Sequence, residues 1–203
     1  MVYCSKITTI AFDVGNVLVS NKGFPWSILR PISQSLDIPI AKLAKRYDLL
    51  LPEMEKGNQK IYSLIGKRLS PRLRDLYVNA AQNIFQLNTE LFNTACELKK
   101  NFKVGIISNI DQYLSQIPVH FAVYSCFDPK LVVLSYKVKA RKPNPEIYRL
   151  FLKRAKSLAS ECLFVDDKKE NIVAAQKIGM KTILFKNNTQ FKKELFNYLL
   201  PGA

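Results

Sequence analysis

The chain has 203 residues, 48% of them hydrophobic, which suits one well-buried core with room for a smaller second lobe. No apolar run approaches the ~20 residues of a membrane helix, the N-terminal MVYCSKITTIAF lacks a signal-peptide layout, and Cys4, Cys96, Cys126 and Cys162 are far apart. This argues against a membrane protein, a disulfide scaffold or a zinc site, and a cytosolic location is expected. The net charge of +15 raises a polyanionic partner, but the excess is spread along the chain without a basic tail or an RNP-like signature. A solvated Lys-rich surface is favoured over a nucleic-acid face.

From Ile7 to Leu18 the sequence reads ITTIAFDVGNVL, a short β-branched run that stops at Asp13 before a turn-forming Gly and Asn. Asp13 is expected where a buried strand ends, the edge at which parallel sheets hold their ligands. From Pro25 to Phe85 apolar residues recur at three and four spacing: Ile28, Leu29 and Ile32; Leu43, Tyr47, Leu50 and Leu51; Ile61, Leu64 and Ile65; Leu73, Leu76, Tyr77 and Ala80. Breakers at Pro39, Pro52, Gly57 and Pro71 divide this stretch into about four short helices. Trp26 is expected to anchor the lobe, and Asp48, Glu53 and Glu55 to lie on a solvated helix face.

After Asn88 strands and helices alternate. A helix is predicted from Glu90 to Lys100, capped by Asn88 or Thr89 and buried through Leu91, Ala95 and Leu98. The strand KVGIIS then stops at Ser108 and Asn109, a short helix follows, and LVVL supplies the strand Leu131 to Leu134. His120, in the connection, has no carboxylate or second His nearby in sequence and is read as a packing or surface residue. Asn144 and Pro145 cap and open a helix whose buried stripe is Ile147, Leu150, Phe151 and Leu158, and Lys142 precedes its N-terminus. The strand CLFVDD ends in Asp166 and Asp167, a helix from Lys169 to Ile178 is closed by Gly179, and TILF and a helix from Gln190 to Leu200 complete the chain.

This alternation predicts an α/β fold, a three-layer Rossmann-like parallel sheet whose strand ends gather along one edge. Residues 1–19 and 89–203 form the core and residues 20–88 an inserted helical cap. Asp13, Asp166 and Asp167 would repel one another if brought together, so a divalent cation is expected among them, and hard oxygen ligands favour Mg²⁺. Ser108, Asn109, Lys142 and helix N-termini suit a tetrahedral dianion such as phosphate, and an Asp so placed can attack phosphorus.

FDVGNVL, IISN, RKPNPEIY and FVDDKKENIVAAQKIGM resemble, in order and spacing, the four motifs of the haloacid dehalogenase-like hydrolases. The first is similar to the FDxGNV branch, which includes sugar-1-phosphate phosphatases. The resemblance implies a phosphatase forming an aspartyl-phosphate on Asp13, which also ligates the metal together with the Gly15 carbonyl, Asp166 and Asp167. Ser108 and Asn109 would hold phosphoryl oxygens, and Lys142 would pair with nucleophile and phosphate. A small phosphorylated metabolite, such as a sugar phosphate, is the expected partner.

One position departs from the family's phosphatases, which mostly carry a second Asp two residues after the nucleophile as general acid. Here it is Gly15. Either the leaving group needs little protonation, as for an anomeric oxygen or an acyl phosphate, or a residue of the helical lobe substitutes. Two alternatives stand beside the phosphatase: a metal-free 2-haloacid dehalogenase, and a non-catalytic or weakly catalytic module binding a phospho-ligand or nucleic acid.

Overall fold

The protein is described by a computed structural model covering residues 7–20, 23–58 and 71–199. Its centre is β1 (Thr9–Phe12), whose four residues TIAF are all buried. Parallel neighbours β4 (Lys103–Ser108) and β6 (Cys162–Asp166) flank it, β5 (Val132–Leu134) and β7 (Lys181–Leu184) lie outermost, and the order is β5-β4-β1-β6-β7. Successive residues point to opposite faces of a strand. Ile10 and Phe12 join a core with Leu91 and Ala95 of α4 (Thr89–Leu98) and Phe191 and Leu195 of α9 (Asn188–Leu199). Ala11 joins the other face, with Ile147, Tyr148 and Phe151 of α7 (Pro145–Ala155) and Ile172 and Ala175 of α8 (Lys169–Lys177). Three layers result, as the alternating pattern predicts. Gly105 of β4 permits this packing: a Cβ there would meet the Leu131 carbonyl at 2.5 Å and the Phe151 ring at 2.7 Å.

The helical stretch contains α1 (Trp26–Leu36), α2 (Ile40–Glu55) and α3 (Pro71–Gln82). Pro39 opens α2, but Pro52 lies inside it and does not end it. The expected stripe at Ile61, Leu64 and Ile65 falls outside the described residues, as does Cys4. Trp26 is not an anchor: it begins α1 off the Ile28, Leu29 and Ile32 face and is 50% exposed. These helices are held instead by Leu29, Tyr47 and Tyr77, buried in the same core as Ile10 and Phe12.

The ends of this stretch are tied by a short antiparallel ribbon, β2 (Val19–Ser20) with β3 (Gln86–Leu87). Two residues per strand leave no periodicity to read from sequence. Asn88 strengthens the crossing, its N–H donating to the Leu18 carbonyl at 2.9 Å and its Nδ2 to that of Val17 at 3.1 Å. Between β4 and β5 runs α5 (Pro118–Ser125), and α6 (Ser135–Val138) follows β5. Leu158 also departs from expectation: α7 ends at Ala155 with Lys156 left-handed, leaving Leu158 exposed while Tyr148 fills the buried stripe.

Candidate active site

The carboxyl ends of β1, β4 and β6 converge on one cavity of about 280 Å³. Ladder pairing continues one residue beyond β1, where the Asp13 N–H donates to the Val165 carbonyl at 2.8 Å. This places the Asp13 side chain at the sheet edge, and its Oδ1 accepts from the Val14 N–H at 2.7 Å. The chain then turns tightly: Asn16 is left-handed at φ 56, and its N–H donates to the Val19 carbonyl at 2.7 Å. Asparagine tolerates that conformation better than most residues. The Asn16 Nδ2 reaches Asp167 Oδ2 at 3.1 Å, joining the first turn to the end of β6.

Lys142 is buried, with Nζ 2.7 Å from Asp13 Oδ1 and 2.7 Å from Asp166 Oδ2. Its backbone is held from β4: Asn109 Oδ1 accepts the Lys142 N–H at 2.8 Å, and Asn109 Nδ2 donates to the Lys142 carbonyl at 2.9 Å. The Asn109 carboxamide is thus committed to the lysine. Ser108 is buried at the end of β4, close to the buried Tyr124 hydroxyl. Asp166 is fully buried and accepts from the Lys168 N–H at 2.8 Å and from Asn171 Nδ2 at 3.0 Å. Asn171 comes from the first turn of α8, so strand, turn and helix all aim polar groups at this carboxylate.

One ammonium faces three carboxylates. Ligand atoms of Asp13, Asp166 and Asp167 lie within 4.8 Å of one another. Burial holds the Asp13 carboxyl above its usual range, Lys142 works against that, and Asp166 adds to it. Burial also raises Asp167, and its Oδ1 is buried with no hydrogen-bond partner. For Lys142, burial disfavours the charge, but Asp13 and Asp166 outweigh it and the net shift is upward. An oxygen cage in negative excess, with one orphaned carboxylate oxygen, fits a hard divalent cation.

Two acids of the cavity wall were not expected there. Glu55 is buried rather than on a solvated face, because the end of α2 packs on the loop before α7 and Arg141 Nε reaches Glu55 Oε2 at 2.7 Å. Burial raises its carboxyl and Arg141 opposes the rise. Asp48 remains exposed, and Glu53 pairs at the surface with Lys56 at 2.7 Å. Asp111 has no special spacing in the sequence beyond lying two residues after Asn109. It is buried, accepts from Tyr77 Oη at 2.7 Å and from the N–H groups of Tyr113 at 2.7 Å and Leu114 at 3.1 Å, and so ties the loop after β4 to α3. His120 packs, with its ring 4.9 Å from that of Phe85 and Nδ1 donating to the Leu114 carbonyl at 3.0 Å.

A family model described as haloacid dehalogenase-like hydrolase matches residues 10–185. The chain is 29% identical over 103 residues to a D-ribitol-5-phosphate phosphatase from Bacteroides thetaiotaomicron, covering 48% of this chain and 50% of that protein. It is 52% identical over 40 residues to a sesquiterpene phosphatase from Aspergillus oryzae, covering 20% of each. The matched stretches thus span half or less of these relatives. The fold is similar to a crystal structure of a HAD family enzyme from Bacteroides thetaiotaomicron, with TM-score 0.72 at 20% identity over 94% of this chain and 98% of that one. A complex of that enzyme with magnesium and inorganic phosphate matches with TM-score 0.68 at 21% identity, over 89% of this chain and 94% of that one. Among the described residues no helix is long and apolar enough to cross a membrane.

Proposed function

The chain belongs to the haloacid dehalogenase-like hydrolases, and we propose that it is a magnesium-dependent phosphatase of small phosphate monoesters, working through an aspartyl-phosphate on Asp13. The observation that carries this reading is the Lys142 ammonium 2.7 Å from both Asp13 and Asp166, beside the orphaned Asp167 oxygen. Asp13, Asp166, Asp167 and the Gly15 carbonyl would hold Mg²⁺, which when bound neutralises charge on the phosphoryl oxygens. The relatives' named activities, on a polyol phosphate and in sesquiterpene chemistry, support phosphate esters as the substrate class.

The Val14 N–H and Lys142 pin one oxygen of Asp13 and orient its carboxylate for attack. That carboxylate forms a bond to phosphorus as the bond to the alcohol oxygen breaks, and water then cleaves the acyl phosphate to give orthophosphate and free Asp13. Lys142 offsets the charge of both states, Ser108 supplies a hydroxyl to the phosphoryl group, and Asn109 contributes by fixing Lys142. With Gly15 in the usual acid's position, the leaving oxygen takes its proton from Glu55, which lines the same cavity and whose carboxyl burial raises, and Glu55 regains a proton from the water that cleaves the acyl phosphate. The helices between residues 20 and 88 act as the cap that closes this cavity. The free thiols of Cys96, Cys126 and Cys162 suit a reducing compartment such as the cytosol.

Metal-free dehalogenation is the weaker reading, since it leaves the buried Asp167 Oδ1 without a partner. The test is hydrolysis of a panel of phosphate monoesters with and without Mg²⁺, beside Asp13→Asn. Turnover is expected only with Mg²⁺ and only in the unmutated protein; turnover that survives in the variant overturns the assignment of Asp13.

A further inference from the structure

Part of the cavity is walled by rings in contact. Phe24 meets Tyr47 edge-on at 5.9 Å and Phe85 at 5.8 Å, and Phe85 meets His120 at 4.9 Å. Leu51 and Leu114 fill the gaps. A substrate body with several hydroxyls would need partners here, because a buried polar group without one costs about 1–3 kcal/mol. Among the described residues several of the wall's polar atoms are already engaged: Glu55 Oε2 by Arg141, Asp111 by Tyr77 and two backbone N–H groups, and His120 Nδ1 by the Leu114 carbonyl. The buried Tyr47 hydroxyl lies beside that of Tyr77. Among the described lining residues both cations, Lys142 and Lys168, stand at the acidic end near Asp166 and Asp167, so nothing on the ring wall would balance a second anionic group.

We propose that the alcohol part of the substrate is apolar: the protein takes the phosphate monoester of a small branched or aromatic alcohol, with its body against the wall of Phe24, Tyr47 and Phe85. This rests on the phosphatase reading for the phosphate end and departs from the polyhydroxylated sugar that the first motif suggests. Aromatic and aliphatic walls with one or two placed polar groups are how small-molecule pockets select shape over hydrogen bonding.

The test separates binding from turnover. Phosphonates, whose carbon–phosphorus bond resists hydrolysis, are titrated calorimetrically into the unmutated protein with Mg²⁺: benzylphosphonate and 3-methylbutylphosphonate against 2,3-dihydroxypropylphosphonate, each in competition with inorganic phosphate. The two apolar probes should bind at least about tenfold more tightly than the diol, with a more negative heat-capacity change from apolar burial. Equal affinities, the reverse order, or no binding of either apolar probe overturns the inference. Hydrolysis of benzyl, 3-methylbutyl and glycerol phosphates is assayed in parallel. Absence of turnover for all three overturns the phosphatase reading, while the calorimetric order still judges the apolar body.

Discussion

Asn109 grips Lys142 by the backbone at both ends of its carboxamide, accepting the N–H at 2.8 Å and donating to the carbonyl at 2.9 Å. The lysine's reach to Asp13 and Asp166 depends on where its backbone sits, so Asn109 is a positioning residue. Asn109→Asp keeps the acceptor but sets a carboxylate oxygen against the Lys142 carbonyl. A loss of about 10–100-fold in kcat is expected, with stability lower by about 1–3 kcal/mol. Asn109→Ser, which can satisfy only one of the two bonds, should fall between; kinetics and urea midpoints on the three proteins check the order.

Removing the shared cation has a different signature. Lys142→Met keeps the bulk of the side chain but leaves Asp13 and Asp166 buried without their ammonium. Breaking a buried pair in this way costs about 3–5 kcal/mol. Chemical denaturation should show a loss of that order, whereas a loss below about 1 kcal/mol would mean that the two carboxylates do not depend on Lys142.

Magnesium should stabilise the fold through the acidic cluster. At about 100 times its dissociation constant a ligand adds about 2.7 kcal/mol, so Mg²⁺ should raise Tm and EDTA reverse the rise. In Asp167→Asn, which removes the charge of the oxygen that lacks a partner, the Mg²⁺-dependent rise should shrink. An equal rise in both proteins would place the ion elsewhere.

Glu55→Gln distinguishes proton donation from wall packing. If Glu55 protonates the leaving oxygen, kcat should fall by about 10²-fold or more for alkyl phosphates and far less for a phenyl ester bearing nitro groups, whose oxygen departs unprotonated. Uniform loss across leaving groups would leave Glu55 as a partner of Arg141 only.

His120 sets a limit at acid pH. Burial lowers its pKa from 6.5 to about 4, so between those values the unfolded chain binds the proton more readily than the folded one. The stability this neutral ring contributes is fully present above pH 6.5, is lost as pH falls, and levels off below about 4, for a total of about 3 kcal/mol. Urea midpoints of the unmutated protein relative to His120→Gln should therefore decline from pH 7 to pH 4.5. A difference that stays constant with pH would show that the ring does not titrate in this window.

Most of the sheet was legible in the chain. Runs such as TIAF, KVGIIS and CLFVD are apolar because both faces of a central strand are covered, and the residue that ends each run marks the carboxyl edge whatever the details of packing. The alternation of these runs with helical periodicity also determined the parallel three-layer fold. Residues whose neighbours are remote in sequence were not legible. Glu55 looks like one more acid on a polar helix, and only the docking of α2 against the loop before α7 buries it on Arg141, 86 residues away. Asp111, the Tyr47 hydroxyl and the ring wall are likewise products of how the helices settle over the sheet edge. Periodicity reports which side of an element avoids water, but which elements meet there, and at what distance, is decided by packing of the whole chain.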